Sequence, residues 1–337
     1  MNPMRSFLDI IYNDVEATDI IADDCEAFTW IDKASGEADT FTMTLANIGQ
    51  KWMNGFYPSD QDVLKAWIRL EEWPVDYRGG RIYCGTFMVD SLRFSGWPEK
   101  LELSAISVPI NKDFNVKEKS RTWQKTTVRD IMQDIATEAG IELVYDAEDY
   151  NVDSMSQSGK TDLSFGKSLC GEFGLSMKLY NNKVVVYDQT TYERSAPAYS
   201  IYRSELGAGG SYKIEKTITK TYNSVKIQYT NENGETLSYE FSLPGTDGNR
   251  QKFISAKAES LKDAEIKAKA ALRENLRGSR NITITKTGSA KHIAAQVFTL
   301  SGFGKLDGNY FIDSVSHNRN SGKYTCTITA HLTVTDF

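Results

Sequence analysis

The stretch Thr127-Val128-Arg129-Asp130-Ile131-Met132-Gln133-Asp134-Ile135-Ala136-Thr137-Glu138-Ala139-Gly140-Ile141-Glu142-Leu143 is where the period of the sequence changes. Thr127 stands three residues before Asp130, as in a capping box, so its hydroxyl can receive the first free amides of a helix. Val128, Ile131, Ile135 and Ala139 then share one helical face, and Gly140 supplies the stop. Directly afterwards Ile141, Leu143 and Tyr145 alternate as a strand.

The same order follows a second time. Phe165, Leu169 and Phe173 recur at helical spacing, Gly174 stops them, and Leu175, Met177 and Leu179 alternate. A helix stopped by glycine before a strand is common, so this repetition does not by itself establish internal duplication. Lys183 to Tyr187 adds an apolar strand after the Asn181-Asn182 turn, and Ser195-Ala196-Pro197 closes the segment. Residues 111–197 are therefore expected to form a small α/β insert.

On both sides of the insert the period is two. Towards the N-terminus, Phe28 to Ile31 and Phe41 to Leu45 read as strands around the turn-rich Lys33 to Asp39. Ile82, Cys84, Phe87 and Val89 run past Gly85, a bulge position, and Leu101, Leu103 and Ala105 alternate. Residues 1–110 are thus expected to be a β-barrel or sandwich. Towards the C-terminus, Val225, Ile227 and Tyr229 face Leu237, Tyr239, Phe241 and Leu243 across a turn at Asn231 to Gly234. Leu261, Ala264, Ala268, Ala271 and Leu272 predict one helix over about 260–277, capped by Ser260. Tyr324, Cys326, Ile328, Ala330, Leu332 and Val334 form a long last strand. The expected fold class is α+β and β-dominated, with β domains at 1–110 and 198–337 flanking the insert.

At 337 residues, with 40% hydrophobic and 25% charged side chains, the chain is long enough for two or three folded domains. No run approaches the eighteen or so apolar residues of a membrane span, and Met1 to Tyr12 lacks the order of a signal peptide. Synthesis and folding in a cytoplasm are expected. Cys25, Cys84, Cys170 and Cys326 are far apart with no CxxC pair, which points to buried free thiols rather than a zinc site or dense disulfides. Residues 1–110 carry 18 Asp and Glu against 9 Lys and Arg, so the acidity belongs to this part. Such a surface repels nucleic acid, and no sequence-specific nucleic-acid binding is expected.

Tests for chemistry find no signature, and no catalytic, cofactor-binding or metal-binding residue is assigned. Gly159-Lys160-Thr161 lacks the earlier glycine of a phosphate loop, since Ser154 stands there. Gly207-Ala208-Gly209-Gly210 lacks the strand-to-helix setting of a dinucleotide site. His292, His317 and His331 are the only histidines. His317, beside Asp313 and Asn318, reads as a locally bonded strand-end residue rather than a general base. No carboxylate pair stands out for glycoside cleavage. Trp30, Trp52, Trp67, Trp73, Trp97 and Trp123, five of them in the first 110 residues, read as core or interface anchors before a stacking platform for sugar or bases.

Several of these stretches together resemble the phage late control D and XkdQ-like tail hub family. Ser120-Arg121-Thr122-Trp123 followed by Thr127-Val128-Arg129-Asp130-Ile131 and Ile135-Ala136 resembles the opening of its central domain. Leu163-Ser164-Phe165, Leu169 and Glu172-Phe173-Gly174-Leu175 resemble the next helix. Leu300 to Ile312 followed by Val315-Ser316-His317 resembles its closing segment. The likeness covers residues 115–335.

What the resemblance implies is a homotrimer in which two tube-like β-barrels per chain make a pseudo-sixfold ring. That ring joins a hexameric tail tube to a trimeric spike in a contractile phage tail or tailocin. Its implied partners are the chain itself, the trimeric spike protein, the tail tube protein and other baseplate proteins, the tape-measure protein among them. It implies no enzyme and no cofactor, and assembly into a virion tail or an extracellular phage-tail-like particle. The two competing functions are a tail-associated peptidoglycan hydrolase and a carbohydrate-binding β protein.

Overall fold

The computed structural model describes residues 4–59, 62–73, 80–107, 113–207, 209–219, 221–230, 234–255, 258, 260–335 and 337, without the side chains of Tyr229 and Ser255. The boundary expected at 110, Ala208 and turn residues Asn231 to Asn233 lie outside these residues.

The first group of strands is β1 (Arg5–Tyr12), β2 (Val15–Glu16), β3 (Cys25–Lys33), β4 (Thr40–Ala46), β5 (Val63–Glu71), β6 (Arg81–Ser95) and β7 (Lys100–Ile106), with helix α1 (Thr18–Ala22) after β2. Their alternation is the cause of their pairing. Phe28 and Trp30, then Phe41, Met43 and Leu45, then Leu64, Ala66, Ile68 and Leu70, and finally Leu101, Leu103 and Ala105 turn to one face and are buried together. The bulge expected at Gly85 is present: Tyr83 opposes Trp67 and Gly85 opposes Ala66, so Cys84 is the extra residue.

The insert follows with α2 (Asp113–Val116), β8 (Glu118–Thr127), α3 (Val128–Ala139), β9 (Glu142–Asp146), β10 (Asn151–Thr161), α4 (Asp162–Glu172), β11 (Ser176–Tyr180), β12 (Lys183–Tyr187) and α5 (Gln189–Glu193). Thr127 Oγ1 accepts from Asp130 N at 3.1 Å, and Gly140 ends α3 in the left-handed region at φ 68°. Val128, Ile131, Ile135 and Ala139 are buried as their spacing predicts. Thr161 caps α4 through Ser164 N at 3.2 Å. One core joins α3, α4 and the sheet β11-β12-β9.

The remainder holds β13 (Tyr199–Tyr202), β14 (Ser211–Lys216), β15 (Ser224–Thr230), β16 (Thr236–Ser242), β17 (Gln251–Ser255), α6 (Leu261–Arg277), β18 (Arg280–Thr287), β19 (Val297–Ser301), β20 (Gly308–Asn320) and β21 (Lys323–Leu332). Strands β16, β15 and β17 make a separate sheet under α6, with Val225, Ile227, Ala264, Ala268 and Leu272 as its core. Leu261, expected on the apolar face of the helix, is 59% exposed in its first turn.

The β-dominated α+β class stands, and the strands outside the insert other than β15, β16 and β17 pair differently from two separate barrels. They form one 13-stranded sheet, ordered β14-β18-β21-β20-β3-β4-β7-β6-β5-β1-β2, with β19 and β13 branching from β20. Among the described residues this path does not close on itself. The reason lies in β20: a register shift between Ile312 and Ser314 divides the strand on its β21 side. Tyr310 and Phe311 pair with β19, whereas Ser314 to Asn320 pair with β3. One strand thereby serves two neighbours on the same side, and the early and late strands share a core.

Candidate functional site

The three histidines singled out from the sequence are all buried, and the structure separates their roles. His317 sits inside β20, not at its end. Its Nδ1 is 2.6 Å from the Tyr324 hydroxyl and its Nε2 is 3.1 Å from the His292 carbonyl. Burial pushes it down to about 4, so it is neutral at pH 7. Its expected neighbour Asp313 lies across the shift in β20 and turns instead to His331, 2.7 Å from Nδ1. Asn318 bonds Thr29 and Ser316. His292 meets the Tyr199 hydroxyl at 2.8 Å, and burial holds it well below its ordinary value.

His331 belongs to a joint between three parts of the fold. Glu193, the last residue of α5, has its side chain fully buried. Its Oε1 accepts from Arg277 Nε of α6 at 2.6 Å and lies 3.4 Å from His331 Nε2 of β21. Its Oε2 accepts from Val334 N at 2.5 Å, and Gln189 Nε2 adds a bond at 3.2 Å. Burial pushes the Glu193 carboxyl up, but His331 and Arg277 outweigh it and hold the group below the usual carboxylate range. Burial pushes His331 down, yet Asp313 and Glu193 raise it to about 9. A charge buried this deeply is tolerated because Arg277, His331, the Val334 amide and Gln189 partner it.

A second joint ties the insert to β3. Lys178 of β11 lies 2.6 Å from Asp32 and 3.3 Å from Asp39, both buried. Asp32 also accepts from Ala294 N at 2.8 Å, and Tyr187 donates to the Ala34 carbonyl at 2.9 Å. Burial raises Asp39 to about 7 despite the attraction of Lys178, with Asp32 adding to the rise. The two carboxylates are locked by a lysine beneath the insert, and neither lines the cleft next to it.

That cleft, about 780 Å³, runs between the insert and the α6 unit. Ser154 to Ser156 of β10, Phe173 and Gly174 line one side, and Lys252, Ala270 and Ala271 the other. Among the described residues, no three His, Cys, Asp or Glu are grouped as metal ligands would be, and no helix is long and apolar enough to cross a membrane. The four cysteines are free and buried.

The tryptophans are dispersed rather than arrayed. Trp30 stacks on His317, Trp52 donates to Asp24 at 3.0 Å, and Trp73 donates to the Gly288 carbonyl at 2.9 Å. Trp67 packs on Tyr83 and Trp123 on Phe165, while Trp97 is 88% exposed. Exposed Ile48, Phe56 and Tyr57 lie towards the same end of the first sheet, where Asn47 N bonds the Glu99 carbonyl and Tyr57 stacks on Phe94. Between Gly302 and Tyr310, Asp307 accepts from Gly302 N and Phe303 N at 3.2 and 2.6 Å. Asn309 accepts from the Thr299 hydroxyl at 2.9 Å.

No family model and no curated protein sequence matches the chain. Solved structures do match it. The tail protein from Neisseria meningitidis MC58 superposes with a TM-score of 0.74 at 14% identity, over 97% of this chain and 96% of that one. The 43 kDa tail protein of prophage MuSo2 from Shewanella oneidensis gives 0.72 at 11% identity, over 97% and 98%. The chain has the fold of phage tail proteins. The E. coli c3393 protein, a type VI secretion component with structural similarity to the T4 tail proteins gp27 and gp5, superposes at 0.60 with 12% identity over 93% of this chain and 75% of that one.

Glu193 and Arg277 carried no signal in the sequence. A polar residue in the short Gln189-Thr190-Thr191-Tyr192-Glu193 run reads as surface, since an ionised carboxylate is rarely buried without a partner and the partners come from distant segments.

Proposed function

We propose that this chain is the hub of a contractile phage tail or tail-like particle, a homotrimer that joins the hexameric tail tube to the trimeric spike. The observation that carries this reading is a fold shared with two phage tail proteins over nearly the whole of both chains. A second supporting feature is the exposed apolar set Ile48, Phe56, Tyr57 and Trp97, which suits contact with another subunit. In this reading residues 1–110 and 198–337 each supply a sector of a pseudo-sixfold ring, and the insert, 111–197, lies outside it. Within the ring the sheets close by pairing between subunits into tube-like barrels. Part of the acidic charge of residues 1–110 faces the channel, where it keeps passing DNA or tape-measure protein from being held. The role is structural, and function resides in subunit contacts rather than in a pocket.

Mass measurement of the purified chain across concentrations, followed by electron microscopy with and without the spike protein, tests this. Three-chain rings with a central channel are expected. A chain that stays monomeric with the spike present, or clears cell-wall suspensions, overturns it. A ring whose carboxylates from residues 1–110 lie mostly on the outer rim overturns the channel assignment alone.

A further inference from the structure

The α6 unit, residues 217–279, leaves the 13-stranded sheet after β14 and returns at β18. These two strands are neighbours, so its covalent connections lie side by side, and Thr217 N donates to the Ser279 carbonyl at 2.8 Å. A body entered and left at one point is free to turn about it unless other contacts hold it. The unit also has its own core in Val225, Ile227, Ala258, Ala264, Ala268 and Leu272, so it can move without losing its fold.

Its contacts with the insert are both apolar and polar. Ala270 faces Gly174 so closely that a Cβ on the glycine would stand 3.2 Å away. Lys267 lies over the Phe173 ring at 5.4 Å and 3.9 Å from Glu172, and Ile266 touches the insert core. Two further attachments come from outside this contact. One is Arg277 on Glu193. The other is the segment after β21: Arg194 Nη2 donates to the Thr335 carbonyl at 3.3 Å, and Arg273 of α6 donates to the Phe337 carbonyl at 3.0 and 2.5 Å. The Phe337 ring then packs on Phe241 at 5.2 Å. Thr335 is thus tied to Arg194 and Phe337 to the α6 unit, while Glu193 holds both the Val334 amide and Arg277.

We propose that the α6 unit is a hinged flap over the insert, latched shut by Glu193 and by the contacts of Thr335 and Phe337, and that its opening widens the cleft and bares Phe173, Gly174, Ile266 and Ala270. When Arg277 withdraws, Glu193 keeps His331 and the Val334 amide, so the latch can open without orphaning a buried charge. This inference does not depend on the hub reading.

The thiol introduced by Ala270→Cys reports opening, because Ala270 is 6% exposed, and the four buried native cysteines report unfolding in the same sample. With a maleimide probe, the introduced thiol is expected to react at least tenfold faster than the native four. Arg277→Met should accelerate it at least tenfold more without changing Cys170. Equal rates for all five thiols, or an equal acceleration of all five, overturns the flap.

Discussion

The indole of Trp30 lies against the imidazole of His317, with 4.6 Å between ring centres and 18° between planes, across the seam where β3 pairs with β20. Trp30 is 3% exposed and His317 is buried, so the stack belongs to the core that the two ends of the chain share. His317 cannot turn away, because Tyr324 and the His292 carbonyl hold both ring nitrogens. Trp30→Ala removes the larger face of the stack and leaves a cavity, and is expected to cost about 3–5 kcal/mol. Urea unfolding measures this. A loss below about 1 kcal/mol would mean that the backbone ladder holds the seam unaided.

Lys178→Met leaves Asp32 and Asp39 buried with no cation between them, a change expected to cost about 3–5 kcal/mol at pH 8. The deficit should shrink towards pH 5. Asp39 is already raised to about 7 in the fold, so its favourable contribution is full below its ordinary value and lost as pH rises through 7. At pH 5 the group is neutral with or without the lysine. Thermal unfolding of both chains from pH 5 to 8 reads the difference, and a deficit independent of pH would exclude Asp39 as its source.

His331 should keep its second proton until about pH 9 and contribute to stability through it. Its folded pKa is raised, so the contribution is complete below the ordinary histidine value near 6.5 and disappears as pH rises through 9, a total of roughly 3 kcal/mol. His331→Gln should flatten stability between pH 6.5 and 9. Carbon-detected titration of the imidazoles checks the assignment directly: His331 titrates near 9, and His317 stays neutral until about pH 4. Two histidines titrating near 6.5 would remove the basis of both assignments.

Gly140 and Gly174 both lie in the left-handed region, at φ 68° and 73°, but only the second meets a neighbour. Gly140→Ala should therefore cost about 1 kcal/mol, the backbone penalty alone. Gly174→Ala should cost more, by on the order of another 1 kcal/mol, because its Cβ presses on Ala270. Equal losses in denaturant unfolding would show that α6 yields freely at this contact.

Much of the core was legible because it depends on period. Val128, Ile131, Ile135 and Ala139 of α3, the alternating residues of β4 and β7, and Tyr324, Cys326, Ile328 and Ala330 of β21 are buried as their spacing requires, whereas β21 stops at Leu332 and leaves Val334 half-buried beyond it. Thr127 and Gly140 mark the ends of α3 through local chemistry, which a short window contains. The pairing of β3 with β20 was not legible, since a half-buried strand does not carry the identity of its neighbour in its own residues. The same holds for the joint at Glu193, whose partners Arg277, His331 and Val334 come from three distant segments. Leu261 misled because the capping residue before it places it in a first turn that faces solvent.

The place of β20 in the sheet also sets the order in which the molecule is completed. Thr29 and Asn318, bonded across the seam, are 289 positions apart. While the chain is being synthesised, β3 can pair early with β4, and its other edge waits until β20 has left the ribosome. Such an edge invites strand addition by any neighbouring nascent chain. Closure of the seam is thus a late, non-local event, and in crowded polysomes it is the step at which a holdase chaperone would raise the yield of folded protein.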